Sequence, residues 1–166
     1  MNIYNDNTKF KSALAFSLTG RGIPFVYYGS EQSYAGGNDP QNRESLWQDM
    51  NTQSENYQMI AKLNAARKAH QIWSHPLEEK YITDNFYAFA RGDFLVALTN
   101  SHDDQSFTVP QAPFADGTEV CNIFFADTDC QTIKGGNIDI YLKGGESKVY
   151  IPKSSSYFQE KLFLQA

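Results

Sequence analysis

Residues 22–47 read Gly-Ile-Pro-Phe-Val-Tyr-Tyr-Gly-Ser-Glu-Gln-Ser-Tyr-Ala-Gly-Gly-Asn-Asp-Pro-Gln-Asn-Arg-Glu-Ser-Leu-Trp. The stretch opens on an apolar run, Ile23 to Tyr28, set between Gly22 and Gly29. A run without polar alternation predicts a strand buried on both faces, as in a parallel sheet covered on either side. The segment that follows is of a different kind. It is rich in Gly, Asn and Asp and carries Glu31, Asp39, Arg43 and Glu44 together with Tyr34 and Trp47. In α/β folds, ligands bind on such loops at the carboxyl ends of strands. Polar side chains grip hydroxyls there, and aromatic rings offer flat apolar faces.

On the amino side, residues 1–6 are polar and read as frayed, and Asp6 or Asn7 caps a helix running to about Leu18. Phe10, Ala13, Leu14, Ser17 and Leu18 fall on one face; Ala15 and Phe16 widen it, so the helix expects cover on more than one side. Gly20 and Gly22 are stop signals, and Pro24 forbids continuation. On the carboxyl side, Thr52-Gln53-Ser54-Glu55 reads as a capping box opening a helix to about Ala69. Met59, Ile60, Leu63 and Ala66 make its apolar stripe, and Arg67, Lys68 and His70 suit the negative end of its dipole.

The composition shifts near Trp73. Short β-branched and aromatic runs then alternate with Gly, Asp and Asn. They predict strands at 80–83, 86–91, 94–99, 105–109, 118–121, 131–133, 137–142 and 148–151. Turns fall at Asp84-Asn85, Gly92-Asp93 and Gly144-Gly145, and strands at this spacing predict an antiparallel sandwich. The tail from Lys153 to Ala166 holds Tyr157, Phe158, Leu162, Phe163 and Leu164, too apolar for a solvated end; the sequence leaves open whether it docks on the sandwich or on a partner.

The totals exclude several classes. Fourteen Lys plus Arg against nineteen Asp plus Glu leave a net charge of -5, and with no basic run this argues against a nucleic-acid partner. No apolar stretch approaches the roughly 20 residues that span a bilayer. Lys9 and Lys11 precede only a short apolar patch, Ala13 to Leu18, which does not read as a signal peptide. His70, His75 and His102 are scattered, and Asp103, Asp104, Asp127 and Asp129 lack calcium-loop spacing, so no metal site is expected. Cys121 and Cys130 flank the turn Asp127-Thr128-Asp129. They predict a disulfide across a hairpin, with two buried free thiols as the alternative. Such a bridge contributes on the order of 2–3 kcal/mol and implies an oxidising compartment.

The opening stretch also carries a resemblance. Gly22-Ile23-Pro24, then Tyr28-Gly29-x-Glu31-Gln32, then Gly36-Gly37-Asn38-Asp39-Pro40-x-Asn42-Arg43-Glu44-x-x-Trp47 resemble the end of the catalytic barrel of α-amylases, the secreted fungal and protist type above all. The resemblance implies α/β plus all-β architecture: residues 1–75 as the C-terminal end of a (β/α)8 TIM barrel (helix, strand, loop, helix), 76–152 as an antiparallel β-sandwich domain, and 153–166 as a tail. A whole barrel needs roughly 250 residues. The chain therefore reads as part of a longer enzyme or as a truncated gene product.

The implied parent activity is hydrolysis of internal α-1,4-glucosidic bonds of starch or glycogen with retention. That chemistry needs two carboxyl groups about 5 Å apart. In the family these stand on earlier strands, as do the calcium ligands, so no catalytic residue and no cofactor is expected here. Asn5-Asp6-Asn7 lacks the His of the family's Asn-His-Asp motif and reads as helix entry. The resemblance assigns Asp39 and Arg43 to holding glucose hydroxyls; the alternative is that they pair with each other and shape the loop. Glu31 and Gln32 read as loop hydrogen-bonders and Glu44 as loop-ordering; Tyr34 and Trp47 read as aromatics able to stack on sugar rings, with core packing the commoner role for Trp47 beside the following helix. Expected partners are an α-glucan in the parent, no nucleic acid, no membrane, and self-association through the uncovered barrel remnant. The parent would be secreted or lysosomal. The rival reading is a non-catalytic glucan-binding or interaction module.

Overall fold

The computed structural model describes residues 5–48 and 50–163, so the expectations for residues 1–4 and 164–166 lie outside the described residues. Two helices come first: α1, Asn7–Thr19, and α2, Glu55–His70. Eight strands follow: β1 Glu78–Ile82, β2 Phe86–Ala90, β3 Leu95–Thr99, β4 Gln105–Val109, β5 Glu119–Asn122, β6 Cys130–Thr132, β7 Ile138–Leu142 and β8 Lys148–Pro152. A last helix, α3, spans Ser156–Phe163.

Among the described residues the strands make two antiparallel sheets. The larger has the order β1-β2-β3-β8-β5-β6, and the smaller pairs β4 with β7. Register follows the alternation of the sequence. In β7, Ile138, Ile140 and Leu142 are buried while Asp139 and Tyr141 face out, so the small sheet lies with one face on the core. β3 behaves differently, with all five of its residues buried. Its two faces serve two cores. Phe86, Ala88, Leu95, Ala97 and Tyr150 pack with Val109, Ile138, Ile140 and Leu142 between the sheets. Phe89, Val96, Leu98, Val149 and Ile151 pack on the other side against Ala15 and Leu18 of α1 and Met59, Leu63 and Ala66 of α2. The central sheet is thus a middle layer with helices on one face and a small sheet on the other.

The helices are tied to this sheet by more than apolar contact. Ser12 Oγ donates to Thr99 O at 2.9 Å, linking α1 to β3. Lys11 and Glu55 pair at 2.5 Å between α1 and α2. Arg91, 7% exposed, ends α1: it donates to the carbonyls of Thr19, Gly20 and His75. The carbonyls of Thr19 and Gly20 are among the orphan acceptors that the C-terminus of α1 leaves behind, while the bond to His75 ties in the segment before β1. At Gly145, φ is +91° and an added Cβ would lie 2.5 Å from Thr8 Cγ2, so the turn between β7 and β8 can approach α1 only without a side chain. α3 carries the tail onto the helical face: Tyr157, 3% exposed, joins the same core, and burial pushes its hydroxyl up to about 12.

Three expectations need correction. Ile23–Tyr28 forms no strand and ends in a turn, so the expected helix-strand-loop-helix order lacks its strand. Neither is the run buried: Ile23 is 84% exposed, Phe25 89% and Tyr27 71%. Burial on both faces needs sheet neighbours on both edges and a layer on each side, and nothing among the described residues supplies them. The apolar face of α1 is narrower than its periodicity suggested, since Ala13 and Ser17 are exposed and Phe16 is 49% exposed. Finally, the cap of α2 is Ser54, which accepts from Tyr57 N–H at 3.3 Å. Thr52 lies two residues too early for the box, because Glu55 is already the first helical residue.

Candidate functional site

The segment after Tyr28 is shaped by short, local hydrogen bonds. Gly29 turns with φ +83°, and the Tyr34 ring lies where its Cβ would be. Tyr34 N–H donates to Gly29 O at 2.9 Å, and the Tyr34 hydroxyl donates to Ser45 O at 3.2 Å. Gln32 closes the base of the loop: its amide donates to Asn51 O at 3.2 Å and accepts from Asn51 N–H at 3.3 Å. The start of α2 then grips the turn Ser30–Gln32. Ser54 Oγ donates to Glu31 O at 2.5 Å, and the buried amide of Asn56 donates to Ser33 Oγ at 2.8 Å and to Asn7 Oδ1 at 3.1 Å. Gln32 therefore does what the sequence suggested, and Glu31 contributes its backbone carbonyl to the same anchor.

At the tip, Asn42 N–H donates to Asn38 O and Arg43 N–H to Pro40 O, folding residues 38–43 into consecutive turns. This brings Arg43 Nη2 to 2.8 Å from Asp39 Oδ2. Both side chains are largely exposed, at 72% and 62%. The pair is therefore a presented carboxylate–guanidinium couple, worth only about 0–1 kcal/mol as an exposed ion pair, with acceptor and donor edges still open to solvent. Trp47 is corrected from core packing: it is 76% exposed in the short turn Leu46–Gln48. Glu44 is exposed as well.

Asp6 is the cap of α1, accepting from Lys9 N–H at 3.0 Å. Its other oxygen meets His102 Nε2 at 2.8 Å. That backbone bond, more than the His102 contact, holds its carboxyl below the usual range.

Cys121 and Cys130 form a disulfide across the β5–β6 hairpin. They lie close to Glu119, the one grouping of possible metal-ligand atoms among the described residues. Sulfurs bonded to each other offer no thiolate, and Glu119 pairs with Lys153 at 2.9 Å.

One constellation had no signal in the sequence, because its members are far apart in the chain. His70 Nδ1 lies 2.6 Å from Asp93 Oδ1, and His70 Nε2 lies 2.8 Å from Ser155 Oγ. The connectivity is that of an acid–base–hydroxyl relay. However, Ser155 Oγ already accepts from Tyr157 N–H at the start of α3. The arrangement joins the end of α2, the β2–β3 turn and the start of α3, and it acts as a structural tie. The His70 hydrogen bond is the main reason the Asp93 carboxyl is held below its ordinary range.

No family model matches the chain. Individual proteins do. It is 37% identical over 153 residues to a beta/alpha-amylase of Paenibacillus polymyxa, covering 89% of this chain and 12% of that protein. It is 31% identical over 157 residues to an alpha-amylase of Saccharomycopsis fibuligera, covering 89% of this chain and 31% of that one. Among solved structures, an alpha-amylase from Malbranchea cinnamomea superposes with a TM-score of 0.84 at 30% identity, over 91% of this chain and 34% of the other. The chain spans about a third or less of the length of these relatives. Similarity at this level, sustained over nearly the whole chain in both sequence and fold, identifies it as a C-terminal region of the α-amylase family.

Proposed function

We propose that this chain is a C-terminal part of an α-amylase that hydrolyses internal α-1,4-glucosidic bonds of starch or glycogen with retention, and that it forms one wall of the sugar site. In this reading residues 1–75 complete a catalytic barrel and residues 76–152 are its β-sandwich domain. The observation that carries it is the Asp39–Arg43 couple, exposed at the tip of a loop anchored through Gln32 and Asn51. A carboxylate accepts from two neighbouring sugar hydroxyls and a guanidinium donates from a planar fork, so the pair suits a glucose unit. The nucleophile, the acid/base and any calcium ligands come from outside these residues. A partner consistent with this is an α-glucan. A disulfide supports a secreted or lysosomal setting.

The exposed run Ile23–Tyr28 supports the same reading, since it offers apolar surface and unpaired backbone that neighbouring strands would cover. The isolated chain is then expected to self-associate through it. The direct test is twofold. The purified chain should release no reducing ends from soluble starch, with or without calcium. It should bind maltoheptaose weakly, and Asp39→Ala and Arg43→Ala should each reduce that binding severalfold. Turnover by the chain alone, or binding indifferent to both substitutions, would overturn the proposal.

A further inference from the structure

A second feature suited to sugar lies on the β domain, away from the loop of Asp39. The disulfide between Cys121 and Cys130 closes a short loop whose backbone is tightly folded: Phe125 O accepts from both Thr128 N–H at 3.1 Å and Asp129 N–H at 2.9 Å. That loop holds Phe125 out, 51% exposed. An exposed apolar ring on such a loop offers a flat face on which the apolar face of a ligand can lie.

Phe125 forms one wall of a cavity of about 390 Å³, and Tyr141, 46% exposed, forms another. The volume falls within the range of about 300–1,000 Å³ typical of small-ligand sites. The rest of the lining is largely polar, and its side chains are ordered by one another. Asp129 takes Lys148 at 2.7 Å, the Tyr150 hydroxyl at 2.8 Å and the Asn122 amide at 3.0 Å. Gln131 reaches across from β6 to β7, donating to Asp139 O at 2.7 Å and accepting from Asp139 N–H at 3.2 Å, which locks the two sheets together at this edge. Glu146, 4.0 Å from Lys148, stands at the rim. Phe125 also lines two further cavities, of about 490 and 510 Å³.

We propose that this cavity is a second α-glucan site, in which Phe125 and Tyr141 stack on sugar rings and the Glu146 carboxylate meets their hydroxyls, while the largely buried Lys148–Asp129 pair beneath holds the surface in shape. Two exposed rings lining one cavity with polar side chains match a neutral polyhydroxyl chain, whose faces are apolar and whose edges are polar. An anionic ligand is disfavoured by the chain's net charge of -5. The choice of α-glucan rests on the amylase reading above; the location of the site does not depend on Asp39 or Arg43.

The test is co-sedimentation of the full chain with insoluble starch, together with calorimetric titration of maltoheptaose. Phe125→Ala, Tyr141→Ala, the double variant and Asp39→Ala are compared, with circular dichroism and thermal melting to show that each remains folded. The expected result is at least a fivefold fall in starch-bound chain for the double variant, with Asp39→Ala keeping at least half, and no binding of the β-linked cellulose in a parallel assay. Reduction of the disulfide should lower starch binding while Asp39-dependent maltoheptaose binding persists. Loss in Asp39→Ala alone would leave the amylase reading standing and overturn the second site. Equal binding by the double variant and the parent chain, or no starch binding by the parent chain, would overturn it as well.

Discussion

Two apolar runs of similar composition meet opposite fates in this molecule. Phe94 and β3 together give Phe-Leu-Val-Ala-Leu-Thr, and every one of these residues is buried. Ile23 to Tyr28 gives Ile-Pro-Phe-Val-Tyr-Tyr, and Phe25 there is 89% exposed while Phe94 is 0% exposed. β3 is flanked by β2 and β8, covered by α1 and α2 on one face and by the small sheet on the other. The earlier run has no ladder partner among the described residues. Hydrophobicity alone therefore marks a segment that needs cover; it does not provide the cover. Where the layers exist, apolar residues hold the domain together, and where they do not, the same residues become a surface.

The contrast is sharpest at the phenylalanines. Phe86→Ala, at a 1% exposed site between the sheets, should cost about 3–5 kcal/mol of unfolding free energy in urea titrations. Phe25→Ala should stay within about 0.5 kcal/mol, because it empties no cavity. A loss of several kcal/mol at Phe25 would mean that the run is packed in solution. Sedimentation of the Phe25→Ser variant sharpens this further: if the run mediates self-association, its apparent mass should fall toward the monomer value.

A smaller effect is expected at the disulfide, which belongs to the well-covered region. Replacing Cys121 and Cys130 by Ser should cost about 2–3 kcal/mol in thermal or chemical unfolding. The pH dependence of stability should come from the same region. Burial raises the Asp129 carboxyl, but the hydrogen bonds from Lys148, Asn122 and Tyr150 outweigh it and leave it below the ordinary range. A depressed carboxyl contributes stability above its unfolded value of about 3.9, and that contribution disappears as pH falls through the folded value. Melting temperature should therefore drop on acidification below about pH 4, and Asp129→Asn should lower stability at neutral pH while flattening that slope. A small change is also predicted at Asp39: Asp39→Ala should move stability by no more than about 1 kcal/mol, since its partner pairs with it in solvent. Amide exchange tests the whole comparison at once, with slow exchange expected over β2, β3 and β8 and fast exchange over residues 23–28.

The β region was legible because its signals are local. Alternating residues such as Ile138, Asp139, Ile140, Tyr141 and Leu142, with turns at Gly92-Asp93 and Gly144-Gly145, fix where strands begin and end within a residue or two. The cap at Asp6 and the stripe Met59, Leu63 and Ala66 were equally local. The core-packing reading of Trp47 failed because packing near a helix start depends on a neighbour the local sequence does not encode. The tie of Asp93, His70 and Ser155, and the cavity between Phe125 and Tyr141, are assembled across long sequence separations and leave no pattern along the chain.

By itself, then, the sequence determined helices α1 and α2, the eight strands and their turns, the hairpin that brings Cys121 to Cys130, and the loop that carries Asp39 and Arg43. Each of these rests on short-range sterics, periodicity and capping, which act over a few residues. Tertiary structure alone decided that β3 is buried on two faces, that Arg91 closes α1, that α3 docks through Tyr157, and that Ile23–Tyr28 lies open. Those outcomes depend on which surfaces meet across the fold, and burial is a property of the pair of surfaces, never of one segment alone.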